Sequence, residues 1–112
     1  MNPKESEIQA MILQWLNLKG LFCWRNNTGA VKIQNVNGTT RMFRAGMSGM
    51  PDILGISKKG RLFAIEVKRP KTGRLTDIQA NTILKLREQG AVAFVATDLE
   101  TVQEYLSKEE II

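Results

Sequence analysis

The chain has 112 residues, a formal net charge of +5 and a pI near 9.7, which suits one compact domain spanning 1–112 and leaves no room for a separate recognition domain. It contains no histidine and a single cysteine, Cys23; this excludes Ser-His-Asp and Cys-His catalysis, histidine-ligated zinc, a cysteine zinc cluster and an intrachain disulfide. No run approaches the roughly 18 apolar residues of a membrane span and the start lacks an apolar signal core, so no membrane association and a bacterial or phage-infected host cytosol are expected. The positive charge favours a polyanionic partner, although a merely soluble basic protein has the same balance.

Residues 5 to 18 read as an amphipathic helix, with Ile8, Met11, Ile12, Trp15 and Leu16 at helical spacing, Pro3 near its first turn and Gly20 as its stop. Leu21 to Trp24 reads as a strand, and Val31 to Val36 and Thr39 to Phe43 as two more turning at Asn37-Gly38. The glycine- and proline-containing stretch Ala45 to Pro51 predicts a surface loop leading into a strand over Asp52 to Ile56. Ser57 to Gly60 is turn material. Arg61 to Lys68 is a central strand, apolar enough to be buried on both faces. Thr76 is an N-cap opening a helix to about Gln89, with Gly90 beyond it. Ala91 to Thr97 is a further strand and Asp98 begins a last helix. The order is α-β-β-β-β-β-α-β-α; a crossover helix before the Ala91 strand makes that pairing parallel, so the expected fold class is α/β with a mixed sheet flanked by helices.

Between Glu7 and Asp77 the only acidic residues are Asp52 and Glu66, in Gly49-Met50-Pro51-Asp52 and Glu66-Val67-Lys68, amid twelve Lys or Arg from Lys19 to Arg74. On a strand Glu66 and Lys68 share a face with Leu62 and Ala64. A three-residue turn at Lys58 to Gly60 places Asp52 opposite Glu66, with β-carbons about 5 Å apart; one residue more or less would offset them. Facing carboxylates repel unless a cation lies between them, and Mg²⁺ or Mn²⁺, with oxygen ligands at about 2.1 Å, meets that need. Such an ion activates water and polarises a phosphate, with Lys68 acting on the nucleophile or transition state and the Val67 carbonyl as a further ligand. A buried Asp-Lys-Glu salt-bridge cluster would use the same residues without chemistry.

At these residues the chain resembles the PD-(D/E)XK nuclease superfamily and, within it, the virus-type replication-repair nuclease (VRR-NUC) domain in its stand-alone phage and bacterial form. The matching pieces are Glu7, Gly49-Met50-Pro51-Asp52, Glu66-Val67-Lys68 and Gln79, in that order. The resemblance implies a restriction-endonuclease-like fold, with Asp52 and Glu66 binding Mg²⁺ or Mn²⁺, the Val67 carbonyl assisting and Lys68 acting on the nucleophile. It further implies that Glu7 holds metal-bound water and that Gln79 orients a lysine or the phosphate. As ordinary helix residues, Glu7 and Gln79 would be a solvated acid and an exposed polar side chain.

Arg25, Lys32, Arg41, Arg44, Arg69, Lys71 and Arg74 surround the acids in sequence and suit phosphate contacts without base readout. Trp15, Trp24 and Phe43 lie in apolar stretches and are expected in the core, as is Cys23. Stand-alone relatives resemble homodimeric enzymes acting on branched DNA in repair, whose two-fold symmetry matches a four-way (Holliday) junction. Met42, Phe43, Met47 and Met50 are candidates for such an interface. The leading expectation is a Mg²⁺- or Mn²⁺-dependent, structure-selective endodeoxyribonuclease hydrolysing phosphodiester bonds without a nucleotide cofactor. The alternatives are a non-catalytic nucleic-acid-binding module of the same fold and a base-specific restriction-type endonuclease.

Overall fold

The structure is a computed structural model that describes residues 3–26, 30–44 and 47–112, with 30–33 and 42–44 described by backbone alone. Its elements run α1 (Glu5–Leu18), β1 (Phe22–Arg25), β2 (Ala30–Gln34), β3 (Thr40–Arg44), β4 (Ile53–Ile56), β5 (Leu62–Val67), α2 (Asp77–Glu88), β6 (Val92–Ala96) and α3 (Leu99–Lys108). This is the order read from the sequence. Strands β1, β4, β5 and β6 form one sheet in that spatial order, and β2 and β3 form a separate antiparallel hairpin. The β1–β4 and β4–β5 pairs are antiparallel, whereas β5–β6, joined across α2, is parallel. Among the described residues no helix is long and apolar enough to cross a membrane.

Helix α1 buries Ile8, Ile12 and Leu16, one per turn along a single stripe. It ends in a Schellman closure: Gly20, at φ 75°, donates its N–H to Asn17 O, and Leu21 donates to Leu16 O. Leu21 therefore belongs to the helix end rather than to β1, which starts one residue later than expected. The β2–β3 turn also differs in detail. Asn35 N–H donates to Thr39 O at 2.7 Å, so the loop holds three residues, Val36 to Gly38, and only Gly38 takes positive φ. A two-residue type I′ turn would need positive φ at both central residues.

The β4–β5 turn has the same form. Ser57 N–H donates to Arg61 O and Gly60 N–H to Ser57 O, each at 2.9 Å, with Gly60 at φ 85°. That three-residue loop sets the register Ile56↔Leu62 through Ile53↔Ile65. Continuing it by one step brings Asp52 opposite Glu66.

Two apolar layers flank the sheet. On one face Ile53, Phe63, Ile65, Val67, Val92, Phe94 and Ala96 pack beneath α1 and α3, with Val102 and Leu106. On the other, Leu54, Ala64 and Ala93 pack against Ile83 of α2, bordered by Met50, Leu86 and Val95. Alternation along β5 divides the strand between the layers, so Glu66 falls at the end of the second row.

Candidate active site

Asp52 lies at the mouth of β4, where the chain is fixed from both sides. Its own carbonyl accepts from Asn26 N–H at 2.7 Å, and its Oδ2 accepts from Val67 N–H at 2.8 Å. The side chain thus substitutes for a ladder carbonyl just beyond the last β4–β5 pair. The loop before it is pressed onto α2: Gly49 has φ 85°, and a β-carbon there would come within 2.5 Å of Ile78 Cγ2. Glycine is required at that point both for its backbone angle and for the close approach.

Glu66, 2% exposed, points from β5 into the same space. The two carboxyls are close enough for each to affect the other's ionisation. Burial raises the Glu66 carboxyl, the neighbouring Asp52 charge raises it further, and Lys68 opposes both; the result is a value pushed up to about 7. Asp52 is also raised, first by burial, against the lowering effect of the Val67 N–H and Lys68. Two acids that resist ionisation side by side are relieved by positive charge placed between them.

Around Glu66 the partners are unequal. Oε1 accepts from Gln79 Nε2 at 2.9 Å and lies 3.5 Å from Lys68 Nζ, while Oε2 is buried without a hydrogen-bond partner. Gln79 reaches the acid from the first turn of α2, where it also forms a capping box with Thr76. Among the described residues no three His, Cys, Asp or Glu side chains converge, so the centre offers two carboxylates, with one oxygen unpaired, beside an amide and an ammonium. Such an all-oxygen pair suits a hard divalent cation that keeps part of its water shell, rather than zinc.

The VRR-NUC domain profile matches residues 3–98. The chain belongs to the VRR-NUC family. Two solved VRR-NUC structures are similar in fold: one at 20% identity with a TM-score of 0.67, covering 92% of this chain and 94% of its own, the other at 18% and 0.63, covering 96% and 91%. No functionally curated protein matches. The fold is therefore of the PD-(D/E)XK type, and the family is one of nucleases.

Against this VRR-NUC frame the residues singled out in the sequence separate into groups. Asp52, Glu66, Lys68 and Gln79 come together; Gln79 contacts Glu66 itself rather than a lysine. Val67 reaches the site through its N–H. Glu7 is exposed on α1, whereas Glu5, half-buried two residues earlier, is the α1 acid whose charge raises Asp52. Glu5 was missed because both acids occupy the helix's first turn, and the sequence does not show which points toward the sheet.

Arg69, Lys71 and Arg74 lie on the β5–α2 loop directly after Lys68, with Arg74 donating to Lys71 O and Gly73 O. Arg25 pairs with Ile53, one step out of phase with Asp52, and so leaves the sheet on the opposite face. Arg41 is tied to Asn35 Oδ1 at 3.1 Å in the β2–β3 hairpin. The side chains of Lys32, Arg44, Met42 and Phe43 lie outside the described residues. Trp24 is a correction: at 38% exposed beside a 71% exposed Phe22, it sits on the uncovered end of edge strand β1, not in the core. Trp15 and Cys23 are partly buried against the larger layer.

Proposed function

We propose that this VRR-NUC domain is a Mg²⁺- or Mn²⁺-dependent, structure-selective endodeoxyribonuclease that cuts phosphodiester bonds in branched DNA, such as Holliday junctions, and acts as a homodimer. The observation that carries the reading is the pairing of half-buried Asp52 with buried Glu66, whose Oε2 is unpartnered next to Lys68. Asp52 and Glu66 would hold the cation, with the Val67 carbonyl and, through water, Glu7 or Glu5 as further donors. A bound divalent ion supplies charge against the phosphate and lowers the pKa of water.

The chain's own residues do the rest. Lys68 places an ammonium at the edge of the acid pair, where it favours the anionic nucleophile and the charge that builds on the phosphate. Asp52 is kept in place by the Val67 N–H and Glu66 by Gln79. Arg69, Lys71 and Arg74, on the loop that follows Lys68, would contact the phosphates of a backbone entering the site. A two-fold dimer presents two such sites to a junction of matching symmetry. Met47, 67% exposed, belongs to the candidate dimer surface.

The test is cleavage of labelled four-way junction, flap and linear duplex DNA in Mg²⁺, Mn²⁺ or EDTA, comparing the wild type with Asp52→Ala and Glu66→Ala. Metal-dependent cutting of the junction is expected, and both variants should lose it while keeping a folded circular-dichroism spectrum. Binding without cutting in any metal would make the chain a non-catalytic binding module. Cutting confined to one sequence in linear duplex would make it a restriction-type enzyme, and a monomer mass in solution would remove the dimer.

A further inference from the structure

Glu66 engages its surroundings through one oxygen only. Oε1 takes the Gln79 Nε2 donor and the nearby Lys68 ammonium, and Oε2 is left buried and unpartnered. The asymmetry depends on which end of the Gln79 amide faces the carboxylate. A side-chain amide can present its oxygen or its nitrogen with nearly the same shape. If it presented the oxygen here, Glu66 would face a second acceptor, lose a donor and keep only the Lys68 ammonium, 3.5 Å away, to hold its present orientation.

The start of α2 removes that freedom. Thr76 N–H donates to Gln79 Oε1 at 3.0 Å, and Gln79 N–H donates to Thr76 Oγ1 at 3.1 Å. This is a capping box, which satisfies two otherwise orphaned N–H groups at a helix start. Its side effect here is that the Gln79 oxygen is committed to the helix end, so only Nε2 can face Glu66. We propose that Thr76 is a positioning residue: through the box it fixes Gln79, and through Gln79 it turns Glu66 Oε2 toward the divalent cation. This rests on the metal-dependent nuclease reading above. Thr76 is exposed and touches no reacting group, so its influence on the site passes through Gln79 alone.

The experiment compares Thr76→Val, Thr76→Ser and Asp98→Ala in the full chain. Valine keeps the shape of threonine and the backbone N–H that Gln79 Oε1 accepts from, but removes the hydroxyl, so half of the box is lost: the Gln79 N–H is freed and the turn that holds the amide loosens. Serine keeps the hydroxyl. Asp98 is the matching control, because its Oδ1 caps α3 by accepting from Thr101 N–H and Thr101 Oγ1, each at 2.8 Å, and takes no part in the Thr76–Gln79–Glu66 chain of hydrogen bonds. Three quantities are measured: Mn²⁺ affinity by calorimetry, kcat and KM on junction DNA, and the Gln79 side-chain amide resonances in the metal-free protein.

Thr76→Val should weaken Mn²⁺ binding and lower kcat about tenfold each, as loss of a ligand-orienting contact does, with KM unchanged. It should also move the Gln79 amide resonances. Thr76→Ser should restore all three. Asp98→Ala should lower Tm comparably while leaving Mn²⁺ affinity, kcat and the Gln79 resonances as in the wild type. Unchanged Mn²⁺ affinity and resonances in Thr76→Val would overturn the inference alone, as would an equal loss in Asp98→Ala. Absence of Mn²⁺ binding in the wild type would overturn the nuclease reading, and this inference with it.

Discussion

The two faces of the β1–β4–β5–β6 sheet are built on different principles although the same strands supply both. Between the sheet and helices α1 and α3 lie fourteen buried apolar residues, among those described, in one continuous layer, with Phe63, Ile65, Val67 and Phe94 fully enclosed. Under α2 the corresponding layer has four, and the rows that begin with Leu54 and Ala64 end in Asp52 and Glu66. Strand β5 serves both, placing Ile65 and Val67 on the heavy side and Ala64 and Glu66 on the light side. Holding a buried acid beside a half-buried one without a cation is unfavourable, and a domain of this size tolerates it where the opposite layer supplies enough stability. The heavy face carries the fold, and the light face carries the acid pair.

The largest effect that would break this division comes from the heavy face. Ile65→Ala removes a side chain that is 0% exposed and should cost about 2–5 kcal/mol in denaturant unfolding, the transfer loss plus a cavity. Where the variant remains folded, its Mn²⁺ affinity should match the wild type. A marked fall in affinity would mean that the two faces are not separable.

The light face should respond in the opposite sense. Glu66 is raised from 4.5 to about 7 in the folded protein, so between those values the folded state binds a proton that the unfolded chain has released. The metal-free protein must then lose stability as pH rises through that window, and the loss is complete above about pH 7. Glu66→Gln removes this titration. Above pH 7 the metal-free variant should exceed the metal-free wild type by up to about 3 kcal/mol, while below about pH 4.5 the two should converge. Mg²⁺ should raise the wild-type Tm at pH 8 and leave that of the variant unmoved. A variant less stable than the wild type at pH 8 without metal would show that Glu66 is a structural ion-pair partner of Lys68.

Much of this division was legible in the sequence, for reasons that particular residues make plain. The α1 stripe of Ile8, Ile12 and Leu16, the Thr76 cap and the Gly20 and Gly90 stops are local signals, and local geometry obeyed them. The facing of Asp52 and Glu66 depended on one count, the three residues Lys58 to Gly60, and Gly60 at positive φ supplied the turn that makes the count work. Contacts between distant segments were less legible. Whether Glu5 or Glu7 points at Asp52 depends on how α1 is rotated against the sheet. Trp24 reads as core because its run is apolar, yet it falls where α2 does not extend over β1. The Gln79 contact is intermediate: the Thr-x-x-Gln spacing announces a capping box, but nothing in it reveals that the other end of the amide meets Glu66.

The smallest prediction sharpens the comparison by showing that the heavy face is sturdy without being optimised. Helices α1, α2 and α3 end in the same closure: Gly20, Gly90 and Glu110 each occupy the left-handed position, and Leu21, Ala91 and Ile111 each donate back to the helix. At the end of α3 the residue is glutamate at φ 59°, where a β-carbon crowds the backbone and glycine does not. The closure survives because Ile111, 7% exposed, is anchored in the heavy layer and donates its N–H to Leu106 O at 2.8 Å. Glu110→Gly should therefore relieve the strain and, after the extra backbone entropy that glycine loses on folding, raise unfolding stability by about 0.5–1 kcal/mol. The gain should appear as a shift in denaturant midpoint at unchanged slope, with Mn²⁺ affinity and junction cleavage unaffected. A loss of stability instead would mean that the exposed Glu110 side chain contributes more to the α3 terminus than its backbone strain costs.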